Sequence, residues 1–296
     1  MVTAMKTRLC RVIAAATIAA LATAACSTDT APANAGPTVA AAFYPLEFVA
    51  QRVVGDVGTV TTVTSPGVEP HDVELSPATV REMQNADVVL YIDGFQPAVD
   101  DAISSTGAVA LDTASVVSLH TAAGTSALDP HFWLDPSVLA TYTLAIGDSL
   151  ARLDPAHGDT YVSNAADLAR ELGALADAYT AGLSQCARRD IIVSHEAFGY
   201  LAAAFNLNQI AIAGVDPQSE PSPAKLREIR DIIASTGSTT VFTESLVNPA
   251  VAESLATDAG VATAVLDPVE TVVNGDDYFG AMNRNLDALK TALDCG

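Results

Sequence analysis

Basic side chains are scarce in this chain of 296 residues: Lys and Arg number 14 against 35 Asp and Glu, a formal charge of −21. Three of the cations, Lys6, Arg8 and Arg11, stand before Ala25 in a stretch without acids. From Cys26 onward the balance is therefore 35 acids against 11 bases, or −24. A surface of that sign repels phosphate backbones and anionic headgroups, which excludes nucleic acid and makes cations the natural partners. Charged residues of both signs are also few, 17% against 50% hydrophobic, so wholesale disorder is excluded. No long apolar run exists: Val12 to Ala25 spans 14 residues, short of the ~20 a permanent membrane helix needs, and no later stretch reads as a span. The HExxH and GxSxG patterns of metalloproteases and serine hydrolases are absent. The length suits two compact domains at ~100–200 residues each, or one large one.

What is present at the start is a basic segment, an apolar small-residue run and a cysteine, the layout of a secretory signal peptide over residues 1–25. Thr23-Ala24-Ala25-Cys26 looks like a bacterial lipobox with Thr where Leu is usual, and the polar run Ser27 to Pro37 suits a tether, residues 26–37. The expectation is an extracytoplasmic, cell-envelope lipoprotein, anchored through Cys26 at the cell surface or in the periplasm. The bland alternative is plain cleavage near an Ala-x-Ala site. Of the 4 Cys, Cys10 leaves with the leader and Cys26 carries lipid, so Cys186 and Cys295 are expected to form a disulfide in an oxidising compartment.

From Thr38 onward, short apolar runs alternate with helical patterns. Strands are expected at 38–43, 59–63, 88–92, 190–194, 209–213, 239–243 and 262–266. Helices are expected at 45–54, 196–205 and 279–293, and after the Ser-Pro-Ala starts at Ser76 and Ser222. Strands alternating with helices imply βαβ units and parallel sheets. Residues from about 154 to 184 instead read as one long helix. The expected fold class is α/β: an N-terminal lobe over 38–150, a linking helix over 151–184 and a C-terminal lobe over 185–296. Each lobe has a mainly parallel sheet flanked by helices, and the ligand site is expected between them. The shared Ser-Pro-Ala starts hint at distant repeats.

Of the 5 His, His120 and His157 lie in polar loop contexts and read as solvated. His71 (Glu-Pro-His-Asp), His131 (Asp-Pro-His-Phe-Trp) and His195 (Ser-His-Glu) stand at loops or strand ends, where open α/β sheets bind ligands. Asp267, ending the 262–266 strand, is the expected carboxylate partner, with Glu244 as rival. Three imidazoles and one carboxylate suit Zn2+ at ~2.0–2.2 Å per bond. Intervals of 60, 64 and 72 residues between these four are not diagnostic by themselves. Glu69, Asp72, Asp129, Asp135 and Glu196 are candidates to orient the ligand rings, and Trp133 reads as packing behind His131.

Four stretches taken together resemble the cluster A-I (cluster 9) zinc/manganese solute-binding lipoproteins of ABC metal importers. They are Pro66-Gly-Val-Glu-Pro-His71-Asp-Val-Glu-Leu-Ser-Pro, Asp129-Pro-His131-Phe-Trp-Leu-Asp-Pro, Ser194-His195-Glu-Ala-Phe-Gly-Tyr-Leu and Val241-Phe-Thr-Glu-Ser. The resemblance implies two α/β lobes joined by a rigid backbone helix, metal ligands at His71, His131, His195 and Asp267, and delivery of Zn2+ to an ABC permease by a monomer that is no enzyme. Manganese-favouring members carry Glu at the third position, where this chain has His195, and a nitrogen-rich shell agrees with zinc. The long His-rich loop of many zinc members is missing: Leu119 to Leu128 holds only His120. Two alternatives stay open. One is a manganese- or iron-binding member of the same family. The other is a three-His zinc hydrolase with an open water position and Glu196 or Glu244 as base.

Overall fold

Short buried runs bounded by Pro and Gly build the two sheets. A computed structural model describes residues 36–122, 128–271 and 275–296, with Gly36–Gly296 as one unit. The expected leader, the expected lipidation site Cys26 and the expected tether up to Ala35 lie outside the described residues. The tether's last two residues are bound to the first sheet's edge: Gly36 N–H donates to Val57 O at 2.7 Å, and Thr59 N–H donates to Pro37 O at 2.9 Å.

The first half runs β1 (Thr38–Ala41), α1 (Tyr44–Val54), β2 (Thr59–Thr62), α2 (Pro77–Asn85), β3 (Val88–Tyr91), α3 (Pro97–Thr106) and β4 (Ala110–Asp112). A two-stranded antiparallel ribbon follows, β5 (His120–Thr121) with β6 (Leu128–Asp129). Then come the helices α4 (Pro136–Leu153) and α5 (Gly158–Leu183). The second half runs β7 (Asp190–Val193), α6 (Gly199–Ala204), β8 (Asn208–Ala211), α7 (Pro223–Thr236), β9 (Thr240–Thr243), α8 (Ala250–Ala259), β10 (Ala262–Val265) and α9 (Tyr278–Leu293). Both main sheets are parallel, in the orders β2-β1-β3-β4 and β8-β7-β9-β10, the same order relative to each half's start. The hint of repeats in the Ser-Pro-Ala starts has its counterpart here. Ser76 and Ser222 cap α2 and α7 alike, each Oγ accepting from the backbone N–H three residues on, with Pro at the first turn.

Six elements fall outside the sequence expectations: α3, β4, β5, β6, α4 and α8. In α4 the reason is its β-prone content, Thr141, Tyr142, Thr143 and Ile146, which depresses intrinsic helicity. Packing supplies what propensity lacks, since Tyr142 and Ile146 are wholly buried. Gly147 lets α4 approach α5 closely; a Cβ there would meet Ala165 Cβ at 2.6 Å. The expected helix at 196–205 is shorter, Gly199–Ala204, because the chain first bends at His195 to present that side chain.

The long helix α5 buries one stripe, Tyr161, Ala165, Leu168, Leu172, Leu175, Tyr179 and Leu183, at intervals of three and four residues. At ~1.5 Å rise per residue its 26 residues reach about 39 Å. Asn164 Nδ2 donates to Val53 O of α1 at 3.0 Å, and Tyr179 Oη donates to Met282 O of α9 at 2.7 Å. One rod is thus fixed to a helix of each half. Among the described residues, no helix is long and apolar enough to cross a membrane.

Cys186 and Cys295 are joined by a disulfide across 109 residues of sequence, linking the exit of α5 to the end of α9. Closing so long a loop restricts the unfolded chain strongly. The double variant Cys186→Ser/Cys295→Ser is expected to lose about 2–5 kcal/mol of unfolding free energy, read as a lower denaturant midpoint in chemical denaturation.

Candidate metal centre

Each of the three histidines lies beyond the carboxyl end of a strand or ribbon, and each is bound through its backbone to a neighbouring carboxylate. His71 sits in the loop after β2, where its N–H donates to Glu69 Oε1 at 3.2 Å. That loop is anchored by the buried Gln96, whose Nε2 donates to Pro70 O and to Thr64 Oγ1, both at 3.0 Å. His131 follows β6, and Asp129 Oδ1 accepts from its backbone N–H at 3.0 Å and pairs with its Nδ1 at 2.8 Å. His195 follows β7, and Glu244 at the end of β9 does the same work, accepting from its N–H at 3.2 Å and lying 2.8 Å from its Nδ1 through either oxygen. A carboxylate behind Nδ1 keeps the proton there and leaves the Nε2 lone pair free to point inward.

Inward, the rings meet. His131 Nε2 and His195 Nε2 are 3.4 Å apart. Glu270 Oε1 lies 3.1 Å from His131 Nε2, 3.4 Å from His71 Nε2 and 4.0 Å from His195 Nε2. All four donor atoms fall within 4.8 Å of one another. A tetrahedral shell with bonds of ~2.1 Å separates its donors by about 3.4 Å, so this spacing fits one small ion at the centre. His71 Nε2 is buried and has no hydrogen-bond partner, a state that is costly unless something else meets the lone pair. Among the described residues, this is the one group of three or more His, Cys, Asp or Glu with converging ligand atoms.

The fourth donor corrects the expectation of Asp267. That residue's Oδ1 accepts from Val269 N–H at 2.8 Å, and its backbone exchanges hydrogen bonds with Asn285, so its carboxylate shapes the turn. The turn passes through Val269, a buried β-branched residue at φ 57°, in the left-handed region that such residues avoid. Glu270 is delivered into the cleft one residue later. Glu244, the other candidate, lies behind His195 on the side away from the cluster. Glu270 was missed because Asp267 is the first carboxylate after the strand; the signal available was the second acid of Asp267-Pro268-Val269-Glu270.

Three buried carboxylates, Asp129, Glu244 and Glu270, surround the three imidazoles, a local excess of negative charge that favours a cation. Burial opposes charge on His131, but its bonds to Asp129 and Glu270 outweigh that and raise its pKa to about 9. Burial would likewise push Glu270 up, yet the bond to His131 and the nearby His71 and His195 rings hold it well below the usual carboxylate range. The His131–Glu270 attraction thus favours the fold below His131's unfolded value near ~6.5 and is lost as pH rises through about 9.

The remaining candidates lie elsewhere. Asp135 caps α4 through Ser137 N–H at 2.8 Å, and Asp72 is exposed. Trp133 is wholly buried with its ring 5.2 Å from that of His131, and its Nε1 donates to Pro268 O at 2.7 Å. His120 stacks flat on Tyr200 at 4.4 Å, and His157 Nδ1 pairs with Asp154 at 2.6 Å. The loop that holds His120 includes residues 123–127, which lie outside the described residues.

The sequence matches the family described as zinc-uptake complex component A, periplasmic, over residues 39–292. The chain belongs to that family. Relatives include the zinc-binding protein AdcA of Streptococcus pyogenes serotype M3, 32% identical over 86% of this chain and 56% of that protein. The high-affinity zinc uptake system protein ZnuA of Bacillus subtilis strain 168 is 28% identical over 86% of this chain and 87% of that one. The chain spans less than two thirds of the AdcA relatives' length. Among solved structures, Zn(II)-bound AdcA of Streptococcus pneumoniae superposes with TM-score 0.76 at 31% identity, covering 88% of this chain and 58% of that one. The laminin-binding protein Lmb of Streptococcus agalactiae, described as bifunctional with adhesin and metal-transporting activity, gives TM-score 0.81 at 29% identity, covering 87% of this chain and 100% of that one. The two-lobed α/β architecture is therefore the family's.

Gly199 makes room for the carboxylate that orients His131: a Cβ there would meet Asp129 Oδ2 at 2.6 Å. Gly199→Ala is expected to displace Asp129 and weaken divalent-metal affinity roughly tenfold or more, measured by competition with a chromophoric chelator.

Proposed function

We propose that this protein captures Zn2+ outside the cytoplasm, between its two lobes, and delivers it to an ABC permease. The observation that carries the reading is the convergence of three imidazole nitrogens and one carboxylate oxygen on one buried point. A shell of three nitrogens and one oxygen favours zinc over the oxygen-preferring Mn2+. The zinc-binding relatives and the family's membership in zinc-uptake complexes support the same ion and the same partner. His71 and His131 come from the first half of the chain, His195 and Glu270 from the second, so the ion bridges the lobes.

A binding role accounts for the geometry better than catalysis. A zinc hydrolase keeps one position open for water, whereas Glu270 Oε1 sits within 3.1–4.0 Å of all three imidazole Nε2 atoms. Glu244, a candidate general base, is held against His195 Nδ1. The signal peptide over residues 1–25 and lipid attachment at Cys26 belong to the same reading: a tethered binding protein keeps its cargo near the permease.

Metal analysis after loading and dialysis tests the proposal, with one zinc per chain expected. Glu270→Gln is expected to weaken zinc binding roughly a hundredfold, while Asp267→Asn, which keeps the acceptor for Val269 N–H, costs less than about tenfold. Wild-type affinity in the triple variant His71→Ala/His131→Ala/His195→Ala would overturn the reading.

Proton release supplies a second measurement. Because His131 titrates near pH 9 without metal, an incoming ion at pH 7 must displace its proton. Calorimetry in buffers of different ionisation enthalpy is expected to show about one proton released per ion at pH 7, falling away as pH rises through about 9.

A further inference from the structure

The segment bearing Glu270 starts from the second sheet, yet, besides the contacts of Glu270 itself, two hydrogen bonds fasten it to the first half of the chain. Trp133 Nε1 donates to Pro268 O at 2.7 Å, and Gly67 N–H donates to Thr271 Oγ1 at 2.8 Å across 204 residues of sequence. Trp133 is two residues from His131, and Gly67 is four from His71, so each fastening reaches a ligand loop of the first lobe. Between them lies the buried Val269 at φ 57°. A non-glycine residue persists in that conformation only when its surroundings over-determine it. Asp267 holds the near side of the turn through Val269 N–H. Thr271, itself buried, closes the far side next to Glu270.

We infer that residues 267–271 form a strap drawn across the cleft, and that Thr271 is a positioning residue whose hydroxyl keeps Glu270 in the metal cluster. The inference rests on the zinc-binding reading for its consequence: with the Gly67–Thr271 bond made, the carboxylate stays on the ion; with it broken, the turn at Val269 relaxes and the ion leaves through a shell of three ligands. Thr271 thereby sets the rate of release, and does so without touching the metal. Trp133 is the only tryptophan in the sequence, so its indole reports on the strap directly.

The test compares Thr271→Val, which keeps the shape and loses the acceptor, with Thr271→Ser, which restores a hydroxyl. Zinc dissociation into excess chelator, followed by stopped flow, is expected to run roughly three- to tenfold faster in Thr271→Val, the worth of one half-buried hydrogen bond, with Thr271→Ser near wild type. Thermal unfolding of the metal-free variants checks that the fold is intact. An unchanged off-rate in Thr271→Val overturns the positioning role, as does an increase that Thr271→Ser fails to reverse. A second arm needs no metal: the Gly67 amide is expected to exchange its hydrogen faster in metal-free Thr271→Val than in metal-free wild type, with an altered Trp133 emission. Wild-type protein that takes up no zinc would refute the transport reading alone. Unchanged exchange at Gly67 would refute the strap, whatever the metal result.

Discussion

Burying three carboxylates among three imidazoles where two sheets meet demands compensating positive charge, and the molecule is organised around that demand. An uncompensated buried charge costs several kcal/mol. Asp129 and Glu244 are each answered by a histidine Nδ1, and Glu270 faces the inward Nε2 atoms. Protons can serve where no metal is bound, as the raised His131 pKa indicates. A divalent ion does so with four bonds at once. The rest of the cleft exists to keep these groups aimed: Gln96 under the His71 loop, Gly199 giving way to Asp129, and the strained turn at Val269.

Two sheets of identical strand order make this possible, because each presents its strand ends to the other across one groove. The donors divide evenly, two from each half, so neither half assembles the shell alone. The long helix α5, bonded to α1 at one end and α9 at the other, spans both halves and holds the distance over which the donors must meet.

Much of this was legible in the residues. His71, His131 and His195 each stand beside Pro, Asp or Glu at a loop or strand end, and three such placements among five histidines select them. Seven of the eight strands of the two main sheets were legible because short β-branched runs stand between helix patterns; β4, only three residues long, was not. The carboxylate was not, because which acid enters the cleft depends on Val269 adopting a left-handed conformation, held by contacts from Trp133 and Gly67 that lie far away in sequence. Helix α4 was hidden for a related reason: its Thr141-Tyr142-Thr143 run disfavours a helix, and burial of Tyr142 and Ile146 makes up the deficit. Local pattern fails where tertiary contacts override propensity.

The disulfide carries a consequence of a different kind. By joining Cys186 to Cys295 it turns nearly the whole second lobe into a covalent ring containing β7 through α9. Outside the cytoplasm such a protein meets peptidases, and exposed loop residues such as Gln218, Ser219 and Glu220 are where backbone cleavage begins. A single cut within the ring yields no loose fragment: both new ends remain tethered, His195 and Glu270 stay on one molecule, and the nicked lobe retains the connectivity from which it can close again.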